Sequence, residues 1–146
     1  MTYTPKELFE RYVWAGMTRD VEAQTALFTP DGVFEAPLLP VDSPAPRRMR
    51  GHDELRAGLA VYHRIARAGR RPDPERSGYV LHTTADPDVF IAEIDTVMTG
   101  DGADLAMSLV QIFRVREGRI ASLRDFFDPG LIAAERAETD ATAAGA

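Results

Sequence analysis

The spacing of apolar residues changes at Gly78, from a period near 3.6 before it to a period of 2 after it, and this switch limits the fold more than any other feature. Upstream, Thr4-Pro5-Lys6-Glu7 has the form of a helix start: a capping threonine, proline at the first helical position and an acid in the first turn. Leu8, Tyr12 and Ala15 follow at helical spacing beside Phe9 and Val13, and Gly16 ends the run. A short helix is predicted over 20–28. A third is predicted over about 53–68, with Leu55, Leu59, Tyr62 and Ala66 on one face and Arg56, His63 and Arg67 on another. Between them Thr29-Pro30-Asp31-Gly32 reads as a turn and Val33 to Pro37 as a short strand. Residues 37–50, with four prolines and Arg47-Arg48-Met49-Arg50, read as a loop.

Downstream of Gly78, strands are predicted over 79–84, 89–99, 104–116 and 119–127, joined by short turn-rich connections. Helices followed by such a meander make an α+β domain, in which a curved antiparallel sheet folds around three N-terminal helices. The length of 146 residues suits one domain, placed at 1–135, with an alanine-rich tail over 136–146 that starts as a helix near Leu131 and frays.

Composition removes several function classes. With no cysteine there is no disulfide, thiolate nucleophile or thiolate metal site, which fits a reducing cytoplasm. The N-terminus has no basic-then-apolar signal pattern, and no apolar run approaches membrane-spanning length, so neither export nor a membrane partner is expected. A net charge of −6 argues against nucleic-acid binding. Nine arginines between Arg47 and Arg76, against four acids, read as a solvated helix face with flanking loops, because aromatics are not interleaved with them. No pair of the three histidines, His52, His63 and His82, has ligand spacing with a carboxylate, so no metal is expected. There is neither a nucleophile elbow nor a glycine-rich phosphate loop.

Strand alternation isolates the polar residues that need an explanation. Leu105, Met107, Leu109, Gln111 and Phe113 share one face of their strand; Ala121, Leu123, Asp125 and Phe127 share one face of theirs, and Arg124 points the other way. An ionised carboxylate among apolar neighbours is costly unless it is paired or keeps a proton. Asp125 therefore reads either as a proton-handling carboxyl in a pocket or as a partnered residue on a wet sheet face. Glu93 and Asp95, two apart on one strand face, read in the same two ways; inside, their charges would push one of them to hold its proton. Tyr12, on the apolar side of the first helix, needs a partner for its hydroxyl if buried.

Residues 5–135, with "RYVWAGMTRDV", "ALFTPDGVFEAP", "GHDELRAGL" and "FRVREGRIASLRDFFDP" in order, resemble the nuclear-transport-factor-2-like superfamily. That superfamily includes ketosteroid isomerase, SnoaL-type polyketide cyclases, limonene epoxide hydrolase and the phenazine-biosynthesis A/B proteins. The resemblance implies a cone-shaped α+β roll. It matches Asp125 to the catalytic aspartate of the cyclases and the epoxide hydrolase, Asp95 to a second aspartate of the hydrolase, and Tyr12 to the oxyanion-hole tyrosine of the isomerase. Glu93 stands where the hydrolase has an arginine, and Phe34 and Ala36 where it has tyrosine and asparagine. Ala36 also stands at the isomerase's general base, Gln111 at its oxyanion aspartate and at the cyclases' histidine, and Gly58 at the phenazine proteins' helix histidine.

The implied function is a cofactor-independent acid/base enzyme of secondary metabolism, an isomerase, aldol-type cyclase or dehydratase acting on a small hydrophobic carbonyl compound. Asp125 would be the base, coupled to Asp95 and Glu93, with Gln111 and Tyr12 as oxyanion donors. Leu105, Met107, Leu109, Leu123 and Phe127 would form apolar walls, with Phe34, Leu59 and Tyr62 nearby. Two alternatives remain: epoxide opening by Asp125 with Asp95 or Glu93, and a non-catalytic binding or assembly domain of the same fold. The resemblance also implies a homodimer through the outer sheet face, where Ser108, Arg114, Arg116, Ser122, Arg124 and Phe126 lie.

Overall fold

The computed structural model describes residues 2–65 and 70–130. The expected tail from Leu131, and the last residues of the expected third helix, lie outside the described residues.

The described residues hold three helices, two before the first strand and one after the second. Helix α1 spans Pro5–Met17 and opens with a reciprocal cap: the Thr4 hydroxyl accepts from Glu7 N at 3.2 Å, and Thr4 N donates to Glu7 Oε2 at 2.8 Å. Its buried residues Leu8, Phe9, Tyr12 and Ala15 form one stripe. Helix α2, Val21–Ala26, starts where Asp20 Oδ1 accepts from Ala23 N at 2.9 Å. It is shorter than predicted, because Phe28 already belongs to a strand. Helix α3 spans Gly51–Ile65.

Seven strands form one curved, unclosed sheet: β1 Phe28–Glu35, β2 Arg48–Arg50, β3 Arg70–Pro72, β4 Gly78–Thr83, β5 Val89–Gly100, β6 Leu105–Arg116 and β7 Arg119–Phe126. The order is β2-β1-β7-β6-β5-β3, and β4 also pairs with β5. The β4-to-β7 meander is antiparallel throughout, as its short connections require. The outer edge of β5 is shared, with β4 against 90–95 and β3 against 98–100.

The sheet departs from the expected one in three places. β1 runs parallel to β7, so the sheet is mixed. The chain between them contains α3 and strands β2 to β6, long enough for the crossover that a parallel pair needs. Thr29-Pro30-Asp31-Gly32 is not a free turn but a break inside β1. Pairing with β7 jumps from Phe28↔Ile120 to Val33↔Ser122, and Pro30, which lacks an N–H, falls in the interrupted stretch. Arg48–Arg50, expected in a loop, pairs with Val33–Glu35 as β2, and Arg70–Pro72 forms β3. Two such three-residue edge strands have no alternation long enough to read.

The core lies between the helices and the concave face of the sheet. Phe113 of β6 is its hub, stacked on Phe90 at 4.6 Å and meeting Phe9 and Tyr12 edge-on at 5.9 and 5.8 Å. At Gly58 an added Cβ would stand 1.8 Å from Met49 Sδ, so this glycine lets α3 lie directly over β2.

Candidate active site

Alternation leaves each strand with two equivalent faces, and the ladder decides which faces join. Asp125 of β7 stands opposite Gln111 of β6, and Gln111 opposite Ala92 of β5, so these three share a face. Ala92 is fully buried and Gln111 is 6% exposed, so that face is the one turned to the helices.

Glu93 and Asp95 consequently belong to the outer face, contrary to the expectation that they couple to Asp125. Glu93 lies opposite Val80 and Val110, is exposed and pairs with His82. Asp95, also exposed, accepts a hydrogen bond from Ser108 Oγ at 2.6 Å. The core takes in Phe90, stacked on Phe113, and Ala92, opposite Gln111, which sends Glu93 and Asp95 of β5 outward.

Between the inner face and the three helices lies a cavity of about 470 Å³. Asp125 and Gln111 stand in its sheet wall with the apolar side chains of Met98, Met107, Leu109 and Phe127; Tyr12, Gln24, Tyr62 and His63 come from the helices. Among the residues expected to line it, Tyr62, Met107, Leu109 and Phe127 do. Phe34, Leu59 and Leu123 do not: they are buried in the core beneath. Leu105 shares the face of Met107 yet stands outside the wall. The Tyr62 hydroxyl donates to Pro46 O at 2.7 Å, tying the proline-rich loop to the rim.

Gln111 Nε2 donates to Asp125 Oδ2 at 3.1 Å, while Asp125 Oδ1 and Gln111 Oε1 are enclosed without a partner. Loss of water pushes the Asp125 carboxyl up to about 7, against a smaller lowering by the Gln111 hydrogen bond. Burial, with the Asp125 and Tyr62 charges, raises the Tyr12 phenol well above its ordinary 10, so Tyr12 keeps its proton. Burial and Asp125 likewise raise Tyr62. The arrangement is one carboxyl able to give or take a proton near neutrality, beside an amide and two phenols that keep their protons at that pH and can offer hydrogen bonds.

Gln24 and His63 also belong to the site, and sequence reasoning left both out. Periodicity puts His63 on the polar face of α3, but that face packs on α2, where His63 Nε2 lies 2.8 Å from Gln24 Oε1. The available signal was a glutamine inside a short helix whose neighbours Leu27 and Phe28 are apolar. Gly58, where the phenazine proteins carry a histidine, has its side-chain space filled by Met49.

A family model described as a SnoaL-like domain matches residues 9–123. An uncharacterized PhzA/B-like protein of Pseudomonas aeruginosa is 31% identical over 114 residues, covering 75% of this chain and 74% of that protein. Among solved structures, a candidate isomerase from Bacillus subtilis superposes with TM-score 0.68 at 22% identity, covering 89% of each chain. A candidate polyketide cyclase from Xanthomonas campestris pv. campestris superposes with TM-score 0.62 at 17% identity, over 89% of this chain and 94% of that one.

Proposed function

The chain belongs to the SnoaL-like domain family, and from that premise we propose a cofactor-independent acid/base enzyme acting on a small hydrophobic carbonyl compound of secondary metabolism. Isomerisation, aldol-type cyclisation and dehydration share the first step: Asp125 takes a proton from the carbon next to the carbonyl, and the electron pair moves onto the carbonyl oxygen. The observation that carries this reading is the Asp125 carboxyl, raised to about 7 at an apolar cavity wall. A base of that strength is matched to neutral pH, and such catalysis is typically worth about 10²–10⁴ in rate.

The enolate oxygen needs donors. Tyr12 offers its hydroxyl, and Gln111 has a second N–H beyond the one given to Asp125. Each aimed donor contributes roughly 3–4 kcal/mol to such a transition state. The protonated Asp125 then returns its proton to another carbon in isomerisation, to the aldol oxygen in cyclisation or to a departing hydroxyl in dehydration. The similar structures described as a candidate isomerase and a candidate polyketide cyclase carry names for two of these outcomes. Epoxide opening by Asp125 with Glu93 or Asp95 is set aside, since those two carboxylates lie on the other face of the sheet.

The test is solvent-deuterium entry next to the carbonyl of an enolisable apolar ketone, 2-tetralone. Wild-type protein should accelerate it, and Asp125→Asn should slow it by about 10²–10⁴ with ligand affinity retained. Exchange unaffected by Asp125→Asn would sink the mechanism, and binding without exchange would leave a ligand-binding domain.

A further inference from the structure

Two arginines of the run between Arg47 and Arg76 do not end on a solvated helix face. Arg70 and Arg71 belong to β3 and line the cavity, and Arg19 joins them from the end of α1. Among the described lining residues Asp125 is the one carboxyl against these three cations, in a chain whose net charge is −6. Arg70 is only 8% exposed, with Nη2 donating to Ala103 O at 2.9 Å. The exposed lining residues are Met17, Arg19 and Arg71, so the cavity opens at the arginine end. No described carboxylate pairs with the Arg19 or Arg71 guanidinium, whereas Arg56, Arg76 and Arg116 are all ion-paired. Asp20, the acid next to Arg19, is turned to the cap of α2, where it accepts from Ala23 N at 2.9 Å. At His63, which also lines the cavity, the charge of Arg19 acts more strongly than that of Asp20.

Arg19 also stands where a side chain is costly to the backbone. Helix α1 ends in a Schellman turn, with Asp20 N donating to Ala15 O at 2.8 Å and Arg19 N to Gly16 O at 3.2 Å. The turn holds Arg19 at φ 55, a left-handed conformation that favours glycine, and its guanidinium has no partner among the described residues to offset that. Register sets the order along the cavity. Ala92, Gln111 and Asp125 align across three strands; the wall then passes Leu109 and Met107 to Met98, which faces Pro72, and reaches Arg70 at Gly100. On the helical side Tyr12, Gly16 and Arg19 follow one line along α1 and just past its end, and seven residues are about 10 Å of helix. The carboxyl and the arginines thus stand at opposite ends of an apolar wall. We propose that the arginine end is a carboxylate-binding subsite, with Arg19 as the recognising cation beside the buried Arg70. The substrate is then a keto acid: an apolar body about 10 Å long, its carboxylate at Arg19 and its carbonyl toward Asp125. The carbonyl end rests on the acid/base reading above; the carboxylate subsite does not.

The experiment uses the full chain and three forms of one bicyclic ketone: 2-tetralone bearing a carboxylate, a carboxamide or an aminomethyl group on the ring remote from the carbonyl. Affinities are measured by calorimetry at neutral pH, at low and at high ionic strength. The carboxylate should bind about tenfold tighter than the carboxamide, as one charge-assisted hydrogen bond contributes. The ammonium should bind weakest, and the advantage of the carboxylate should shrink at high ionic strength. Arg19→Gln should remove most of that advantage and Arg19→Lys keep part of it, with the affinity for the carboxamide unchanged in both. Arg19→Gly should lose the advantage and raise the urea midpoint, since glycine relaxes the left-handed turn. A lowered midpoint would mean that the arginine serves the fold and would overturn its assignment to a ligand. No binding of the carboxylate, equal affinity for carboxylate and carboxamide, tighter binding of the ammonium, or an advantage untouched by Arg19→Gln would each overturn the subsite. In Asp125→Asn the preference for the carboxylate should persist. Failure of the catalytic reading is therefore separable: it appears in deuterium exchange, not in these affinities.

Discussion

Arg124 and Asp125 are chain neighbours, and the pleat sends them to opposite sides of β7. Arg124 lies over the Phe126 ring at 5.1 Å on the outer face; Asp125 meets Gln111 on the inner one. That placement has a sign in pH. The unfolded carboxyl ionises near 3.8 and the folded one near 7, so between those values the native state holds the proton that the unfolded state has lost. Stability conferred by the protonated form is present below about 4 and falls as pH rises toward 7, by up to roughly 1.4 kcal/mol per pH unit. Asp125→Asn should accordingly raise the urea midpoint relative to wild type at pH 8, with the difference closing by pH 4. A constant difference across that range would mean the carboxyl is not desolvated as described. In catalysis the sign reverses, because a general base must be ionised: deuterium exchange should rise through about pH 7 and level off above it. Asp125 stood out in the sequence because a charge within an apolar face needs an explanation. His63 did not, since a histidine among arginines on a helix resembles any solvated face until α2 covers it.

At the level of elements, the capping box of α1 was legible because Thr4 and Glu7 are three residues apart and satisfy each other's backbone without help from the rest of the chain. The long strands were legible for a similar reason, since period-2 alternation persists over 12 residues in β5 and β6. The crossing of α3 over β2 was not, because it depends on one contact between two elements, Gly58 against Met49, that neither period marks. Gly58→Ala would place a methyl against a methionine that is only 1% exposed and has little room to move. A loss of about 1–3 kcal/mol is expected in chemical denaturation. In the double variant with Met49→Ala, the total loss should be smaller than the sum of the two single losses, because the methyl enters space the methionine has left. Strictly additive losses would show that the two elements do not meet as described.

Among the described residues, helices close the inner face of the sheet while much of the outer face is left uncovered. Val80, Glu93, Val110 and Phe126 form a row across four strands there, with Val80 56% and Val110 38% exposed. A homodimer through this face, the state the family resemblance implies, is proposed on that row, since its apolar side chains Val80, Val110 and Phe126 gain by leaving water. Sedimentation at micromolar concentration should show a dimer, and Val110→Arg should shift it to monomer without loss of helix signal in circular dichroism. A monomeric wild type would remove the proposal. Phe113→Ala tests the opposite side: as the ring on which three others pack it should cost about 3–5 kcal/mol.

Taken by itself, the sequence determined the elements and their class, because caps, periodicity and turn chemistry act within a few residues. It also singled out Asp125, because an unexplained charge in an apolar run is a local anomaly. Only the tertiary structure decided which sheet face is inside, the parallel joining of β1 to β7, the outward turn of Glu93 and Asp95, and the meeting of His63 with Gln24. A pleat has two equivalent sides until ladder and core choose between them, and the environment that sets a proton affinity is assembled from segments far apart in the chain.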